Sequence, residues 1–207
     1  MKRLVWLISA ACLVATLAHA QNLLSNGDFN LPNSTAAPDG WSTWSYNGGW
    51  ANHQIDGSSD DGSLYMACGG AGSAGGGVYQ IVPGTAGFTY TLAVDGGAQA
   101  WWRPQGEMRL FFLDASSATL DSASPIIVWP GSNDTGLPWA HYTLSLTAPA
   151  GTTQVKVEFA MNGNDGGTVW FDNALLTAVP EPGTFALVWI GLAGLLGSQF
   201  RRRAHRQ

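Results

Sequence analysis

The sequence predicts an all-β protein, an antiparallel jelly-roll β-sandwich, and two observations support this fold class. The chain has 27 glycines in 207 residues, and turn-forming residues separate short runs of aromatic and β-branched residues through its middle. No segment between residues 21 and 178 combines a helical period of apolar residues with helix caps. Strands joined by short turns pair antiparallel, and two such sheets pack face to face to bury their apolar sides.

The N-terminus has the pattern of a secretory signal peptide over residues 1–20. Lys2 and Arg3 precede a helical apolar stretch, and Ala18 and Ala20 frame a small-x-small cleavage site. This order of charged, apolar and small residues predicts export across the inner membrane and removal of the segment by signal peptidase.

Residues 21–178 have the length of one domain with a sizeable core. They contain three basic and thirteen acidic residues, a net charge of −10. Such a surface repels phosphate backbones, so nucleic acid is excluded as a partner, whereas hard divalent cations are attracted. Cys68 is the only cysteine left after the signal peptide is removed, so no intramolecular disulfide is expected.

Six segments alternate between apolar and polar residues as half-buried strands do. The strands are predicted at Val78–Val82, Phe88–Val94, Glu107–Asp114, His141–Thr147, Gln154–Ala160 and Thr168–Leu176. The glycine-rich stretch 70–75 before the first of them is interpreted as a loop.

Several signals of catalysis fail on inspection, and the protein is expected not to be an enzyme. Glu107 and Glu158 are the only glutamates of the body before the tail. They are interpreted as solvated strand-face residues, with a catalytic carboxylate pair as the alternative. His53 and His141 lack the spacing of a zinc site.

The two ends of the body carry a resemblance to a known family. The body opens with Asn22–Asn30, continues with Gly40-Trp41 and closes with Val169–Leu175. These motifs, in this order, resemble the galactose-binding-like β-sandwich and, within it, the carbohydrate-binding modules of the xylan- and glucan-binding type. The resemblance implies a sandwich that binds sugars.

The same resemblance implies one structural Ca²⁺ between the start and the end of the body. Its ligands would be the Asp28 carbonyl, the Asn30 side chain, Asp61, the Leu64 carbonyl and Asp172. The family usually has glutamate where this chain has Asn30, and an amide ligates without charge, so weaker binding is expected. The alternative is that Asp28 and Asp172 are ordinary turn and strand-edge carboxylates.

Tryptophans are the candidate sugar ligands, because an indole presents a flat apolar face to the C–H face of a sugar ring. Two of the ten tryptophans lie in the targeting segments, and Trp41 and Trp170 are expected in the core. The others lie in loop-like sequence: Trp44, Trp50, Trp101, Trp102, Trp129 and Trp139. Trp101-Trp102-Arg103 is preferred, because adjacent strand residues point to opposite faces and Arg103 supplies hydrogen bonds. The alternative is that these rings fill the core or cap the sheets.

The C-terminal segment 179–207 has three ordered parts. A Pro180-Glu181-Pro182 turn precedes an apolar run from about Thr184 to Phe200, and the basic cluster Arg201, Arg202 and Arg203 follows. As a helix, the run reaches about 25 Å, so a transient anchor in the inner membrane is expected, with the arginines on its cytoplasmic side. The order resembles the PEP-CTERM sorting signal, which implies processing by an exosortase. A plain transmembrane anchor is the alternative.

These features together predict a protein of the cell surface or extracellular matrix that binds polysaccharide, including exopolysaccharide, without catalysis. One alternative is a structural matrix or adhesion protein with no specific sugar ligand. Another is a hydrolase without a recognisable motif.

Overall fold

The computed structural model describes residues 21–30, 38–46, 51–55, 63–68, 74–98, 105–123, 126–128, 139–163 and 167–181. They form eleven strands: β1 Ser42–Tyr46, β2 Ala51–Ile55, β3 Leu64–Cys68, β4 Ala74–Pro83, β5 Phe88–Ala98, β6 Gln105–Leu113, β7 Thr119–Ser122, β8 Ile126–Val128, β9 Ala140–Thr147, β10 Gln154–Gly163 and β11 Gly167–Pro180. In these ranges no helix is long and apolar enough to cross a bilayer. The signal helix and the apolar tail helix predicted from the sequence lie outside them.

The strands form two antiparallel sheets. The six-stranded sheet has the order β1-β4-β10-β6-β7, with β8 also paired to β6, and the five-stranded sheet has the order β2-β3-β11-β5-β9. Through the described strands the chain changes sheet seven times: between β1 and β2, at each step from β3 to β6, and at each step from β8 to β11. Most neighbouring strands are therefore distant in sequence. The predicted all-β jelly-roll sandwich is confirmed, and the six predicted strands lie in β4, β5, β6, β9, β10 and β11.

The core lies between the sheets and contains the alternate residues of each strand. Four aromatic rings pack at its centre. Phe159 contacts Phe171 with ring centroids 4.8 Å apart and Trp41 at 5.5 Å, and Trp41 contacts Phe29 at 5.3 Å. Burial of one large apolar side chain stabilises the fold by about 1.5–3 kcal/mol. The core position predicted for Trp41 is therefore found. Trp170 is buried too, at 9% exposure, but Val169 and Phe171 on either side of it point into the core, so Trp170 lies on the outer side of the sheet and its predicted core position is wrong.

The first residues of the body are bonded to the last strand. The Asn22 side chain donates to the Ala174 carbonyl at 2.9 Å and accepts from the Leu24 and Leu176 amides at 3.1 and 3.0 Å. The Ala174 amide donates to the Gly27 carbonyl at 2.7 Å. These bonds fasten the two ends of the body together through protein groups.

All strands run between two opposite ends of the sandwich, which we call the loop end and the tail end. The loop end contains the described strand ends Tyr46, Ala51, Cys68, Ala98, Gln105, Trp139, Gly163 and Gly167. The tail end contains the turns 84–87, 114–118 and 148–153 together with Pro180 and Glu181. The predicted ligands Trp50, Trp101, Trp102, Arg103 and Trp129 lie outside the described residues. The described strand ends that flank them in sequence belong to the loop end.

The last strand continues into the sorting motif. Pro180 pairs with Phe88 on β5, and the Glu181 amide donates to the Gly87 carbonyl at 3.3 Å. The prediction that a turn begins at Pro180 is therefore wrong. The carbonyl and amide of Leu176 bond to the chain start, on the side of β11 that faces away from β5. Because strand residues alternate in the direction of their bonds, Pro180 faces that same side. Its missing N–H therefore removes no bond to β5, and β11 continues through Pro180.

Candidate functional site

The outward surface of the six-stranded sheet carries the chemically richest group of side chains in the described chain. On β10, Val155, Val157 and Phe159 are fully buried in the core, so Lys156 and Glu158 point to the opposite side. The register then places the partners of these two residues on the same outward surface. We call this surface the aromatic–ionic face: Trp44, Tyr79, Gln105, Glu107, Arg109, Phe111, Lys156 and Glu158.

Two neighbouring rows of the register build the centre of this face. In one row Tyr79, Glu158 and Arg109 lie side by side on β4, β10 and β6. In the next row Gly77 and Ala160 separate Trp44 from Glu107, three strands away. With about 4.8 Å between strands, the backbones of Trp44 and Glu107 are about 14 Å apart. Small residues thus form the floor between an aromatic side and a charged side.

Four charged side chains form one network across β6 and β10. Arg109 donates from Nε to Glu107 Oε2 at 2.7 Å and from Nη1 to Glu158 Oε1 at 2.6 Å, and its Nη2 also contacts Glu107. Lys156 Nζ lies 2.5 Å from Glu158 Oε2, and Gln105 donates to Glu107 at 3.3 Å. The two cations balance the two anions, so the network carries no net charge.

Burial and pairing act in opposite directions on Arg109. Partial burial lowers the pKa of its guanidinium, but the hydrogen bonds and charges of Glu107 and Glu158 outweigh burial and raise the pKa above its usual value. Arg109 is therefore a permanent cation that fixes both carboxylates in place.

The aromatic rings of the face are held by the same cations. The Arg109 guanidinium carbon lies 6.0 Å from the centroid of the Trp44 ring. Lys156 Nζ lies 4.7 Å from the Tyr79 centroid and 5.1 Å from that of Phe111. Cation–π contacts of this kind each contribute about 0.5–1 kcal/mol at exposed sites.

Gly77 is required by the position of the Trp44 indole. A Cβ at residue 77 would lie 2.8 Å from Trp44 Nε1 and 2.5 Å from the carbonyl oxygen of Phe159. The indole therefore lies directly over the glycine, and it remains partly exposed. The absent side chain lets the ring approach the sheet, which orients it as a platform.

Three predictions from the sequence differ from this arrangement. Glu107 and Glu158 are 5% and 3% exposed, so the interpretation as solvated strand-face residues is wrong. Arg109 contacts Glu107 on its own strand and Glu158 on β10, where Lys156 also contacts Glu158. Trp44 lies in strand β1, not in a loop. β4 begins at Ala74, so the glycine-rich stretch interpreted as a loop ends inside a strand.

Arg109, Lys156 and Tyr79 were missed as functional residues. A signal existed in the sequence, because Arg109 and Lys156 are two of only three basic residues in the body, and each is the polar residue of an alternating strand. Of the other predicted ligands, Trp139 directly precedes β9 and is 40% exposed. It lies at the loop end, and none of the contacts described above for the aromatic–ionic face includes it.

The predicted calcium ligands are only partly described. Asp28 Oδ1 accepts from the Asn30 amide at 3.5 Å, and Asp172 Oδ1 accepts from the Asn173 amide at 2.6 Å. Leu64 is buried and pairs with Phe171, next to Asp172. Asp61 lies outside the described residues, and the described part of the chain contains no group of three or more His, Cys, Asp or Glu side chains that could hold a metal ion. Calcium therefore stays a prediction, and equal melting temperatures with calcium and with a chelator would remove it.

A cleft of about 410 Å³ lies beside these residues, between the start of the body and β11. Its lining is rich in amides and includes Asn22, Asn26, Asp28 and Asn173. The amides are bonded within the protein: Asn22 to Ala174, Asn26 to the Asp39 carbonyl at 3.1 Å, and Asn173 to Asp95 at 3.1 Å. The cleft is thus built as a structural junction.

Residues 178–203 match the PEP-CTERM protein-sorting motif. The chain therefore carries this sorting motif, which indicates export and sorting to the cell surface. The match agrees with the tail resemblance and includes Pro180, Glu181, Pro182 and the three arginines. No curated protein matches the chain.

Solved structures similar to this chain are β-sandwich modules. A family 61 carbohydrate-binding module in complex with β-1,4-galactotriose has a TM-score of 0.52 at 12% identity, covering 76% of this chain and 98% of the module. The CBM22-1 xylan-binding domain of Xyn10C from Paenibacillus barcinonensis has a TM-score of 0.51 at 14% identity, covering 78% and 96%. At these identities the likeness establishes the jelly-roll β-sandwich fold alone.

A larger protein contains a similar module. The enzymatically active domain of tailspike protein 4 from bacteriophage CBA120 has a TM-score of 0.57 at 16% identity over 76% of this chain. The chain spans 21% of the length of that tailspike structure, so the likeness concerns one part of it and the shared fold.

Proposed function

We propose that the protein is a surface-sorted, non-catalytic glycan-binding protein whose binding site is the aromatic–ionic face. The observation that carries this proposal is the juxtaposition of the partly exposed Trp44 ring with the Arg109–Glu107–Glu158 network on one rigid sheet. Binding sites for small polar ligands combine an apolar surface with a few polar groups in fixed positions. The jelly-roll fold supports the proposal.

The two halves of the face have different tasks in sugar binding. Trp44 and Tyr79 stack on the C–H face of a sugar ring, and burial of that apolar area supplies affinity. Arg109, Lys156 and the Gln105 amide, which are more exposed than the two carboxylates, orient the sugar through its hydroxyl groups. Because the network is held by β6 and β10, little ordering cost is left for binding.

Charge determines the class of glycan. The network is neutral, but residues 21–178 carry a net charge of −10. Polysaccharides rich in uronate are repelled by this field, and the repulsion is strongest at low ionic strength. The proposed ligand is therefore an uncharged polysaccharide, or an uncharged stretch of an exopolysaccharide.

The arrangement favours binding over hydrolysis. Glycosidases need one carboxyl group that protonates the leaving oxygen and a second that attacks or activates water. Here Arg109 bonds to both Glu107 and Glu158, and Lys156 pairs with Glu158 as well, so both carboxylates are engaged by cations. This supports a non-catalytic role.

The sorting motif supplies the location. We propose that signal peptidase removes residues 1–20, that the tail holds the chain transiently in the inner membrane, and that an exosortase then processes the motif. The sandwich then stays at the cell surface or in the extracellular matrix. The loop end, opposite the tail, points away from the membrane during this stage.

Affinity electrophoresis tests the proposed binding. The protein is run in gels that contain the exopolysaccharide of the producing cell or one of a panel of uncharged glycans. We expect retardation in at least one gel and its loss in Trp44→Ala. Thr91→Ala, on the outer surface of the other sheet, is the matched control and should be retarded like the native protein.

Two other results of the electrophoresis would lead to different conclusions. No retardation by any glycan favours the structural matrix or adhesion protein. Retardation that survives Trp44→Ala but is lost in the Trp101→Ala, Trp102→Ala double variant moves the site to the loop end.

A further inference from the structure

The sorting motif begins inside the folded sheet. β11 pairs with β5 without interruption from Leu175 to Pro180, and the next residue, Glu181, donates its amide to the Gly87 carbonyl at 3.3 Å. The first two residues of the Pro-Glu-Pro motif thus belong to the sandwich, and no linker separates the body from the motif.

The register explains how a proline is accepted there. In an antiparallel pair, residues that bond to the partner strand alternate with residues that do not. Glu181 bonds to the β5 side, so Val179 and Thr177 do as well, while Pro180 is the intervening residue. The pair Val179–Thr89 and the bond from Glu181 therefore hold Pro180 on both sides.

The partner strand, β5, is held by hydrogen bonds on both of its sides. β5 is bonded between β11 and β9, and at the tail end the Gly87 amide donates to the Ala148 carbonyl while the Ala148 amide donates to the Phe88 carbonyl, both at 2.9 Å. The Tyr90 side chain is buried and its hydroxyl accepts from the Thr85 amide at 2.8 Å. The motif is docked on a rigid part of the fold.

The docked motif lies close to the segment expected in the membrane. Only Pro182 and Gly183 separate Glu181 from the apolar run, a reach of about 10 Å at full extension. A membrane peptidase that acts near the motif therefore meets the tail end of the sandwich. Peptidases bind their substrates as separated, extended chain, so segments of folded structure are cut from locally opened states.

We propose that the sandwich is the docking partner of its own sorting motif, and that the processing peptidase cuts only chains in which the end of β11 has separated from β5. In the cut, water or a peptidase nucleophile adds to the carbonyl carbon of one peptide bond, and the amine of the next residue leaves with a proton. This inference rests on the sorting step of the proposed function and is independent of glycan binding.

A pair of cross-strand disulfides tests the proposal in the full chain, expressed in cells that contain an exosortase. In a Cys68→Ser background, Val179→Cys with Thr89→Cys joins the docked end of β11 to β5. Thr177→Cys with Thr91→Cys is the matched control, one bonded pair further from the motif and on the same surface. The spacing of such pairs, about 5.5 Å between Cα atoms, suits a disulfide.

We expect the oxidised Val179–Thr89 disulfide to slow appearance of the processed chain at least tenfold, with reductant restoring the native rate. The Thr177–Thr91 disulfide should leave the rate unchanged. A flexible insertion of eight Gly and Ser residues between Val179 and Pro180 should restore processing in the oxidised Val179–Thr89 variant, because it frees the motif while the disulfide remains.

Two results overturn the proposal: native-rate processing of the oxidised Val179–Thr89 variant, or failure of the insertion to restore it. Amide hydrogen exchange gives a second readout, since a docked motif protects the Val179 and Glu181 amides. If the native chain is not cut at all, the sorting step of the proposed function is wrong. If the Val179 and Glu181 amides are not protected, the motif is not docked on β5, whatever the result for processing.

Discussion

The outer surfaces of the two sheets have the same alternating geometry and opposite chemistry. On the six-stranded sheet, rings and a four-residue ion network cover the strands. On the five-stranded sheet, short hydroxyl side chains pair across β5 and β9: Thr91 with Ser145 at 2.8 Å and Thr89 with Thr147 at 2.9 Å. The same surface also carries the exposed side chains of Leu175 and Val179 and the exposed Asp95–His141 pair at 2.8 Å. These groups pair locally and close to solvent, whereas the other surface places rings beside charges that are nearly covered.

The two outer surfaces also differ in how much their side-chain contacts stabilise the fold. The hydroxyl pairs are exposed and local, so each contributes about 0.2–1 kcal/mol. The ion network contains two carboxylates that are nearly covered, and these require their cations to remain buried. We therefore expect substitutions on the aromatic–ionic face to affect both folding and binding. Substitutions on the hydroxyl face, by which we mean Thr89, Thr91, Ser145 and Thr147, should affect neither strongly.

Arg109→Ala should have the largest effect. It leaves Glu107 buried without its main partner and Glu158 with Lys156 alone, and loss of one partner of such a network costs about 3 kcal/mol of unfolding free energy. Urea unfolding measures the change. The triple variant Glu107→Gln, Arg109→Met, Glu158→Gln should recover a large part of the loss, because no charge is then buried unpaired; an equal loss in both variants contradicts this explanation.

Gly77→Ala should be the next largest. Its methyl group meets the Phe159 carbonyl at 2.5 Å, and overpacking against backbone costs about 2 kcal/mol. The substitution also displaces the Trp44 ring, so glycan affinity should fall. Gly87→Ala is the control: its Cβ meets open space, and only its φ of +74° is unfavourable, so stability falls by about 1 kcal/mol while affinity is unchanged.

Trp44→Ala should reduce affinity for the retarding glycan about tenfold, equivalent to about 1.4 kcal/mol, because the main stacking surface is lost. Isothermal titration with a soluble oligosaccharide of that glycan measures it. Trp44→Phe keeps an aromatic face and should retain an intermediate affinity; affinity equal to that of the native protein in both variants would place the sugar elsewhere.

Thr91→Ala should have the smallest effect. It removes one exposed hydroxyl pair, and we expect a loss of about 0.5 kcal/mol in unfolding free energy with no change in glycan affinity. A loss of affinity in this variant would mean that the hydroxyl face takes part in binding, and the distinction between the two faces would then fail.

A strand could be predicted from the sequence where its apolar and polar residues alternate over many positions. β4, β5, β6, β9, β10 and β11 contain long apolar–polar alternation, which is visible in a single sequence. β1 was missed because an edge strand of Ser, Thr and Trp has the composition of a loop. β7 is fully exposed, with four residues in the pattern of a polar surface strand, so no apolar period marks it.

The candidate site was less predictable because the contacts that join its strands are distant in sequence, although Arg109 and Lys156 each also contact a glutamate two residues away. Arg109 meets Glu158 across 49 residues, and Trp44 meets Gly77 only through the β1–β4 register. Alternation indicates that Glu107 and Glu158 point outward, but not that cations cover them. The turn predicted at Pro180 failed for the same reason, since the pairing that holds Pro180 comes from β5.

Mapping backbone amide chemical shifts while the retarding oligosaccharide is added shows which face of the sandwich binds the glycan. We predict that the shifts concentrate at Trp44, Gly77, Tyr79, Arg109 and Glu158. Shifts confined to Thr91, Ser145 and Thr177 on the other sheet, with the aromatic–ionic face unchanged, would contradict it.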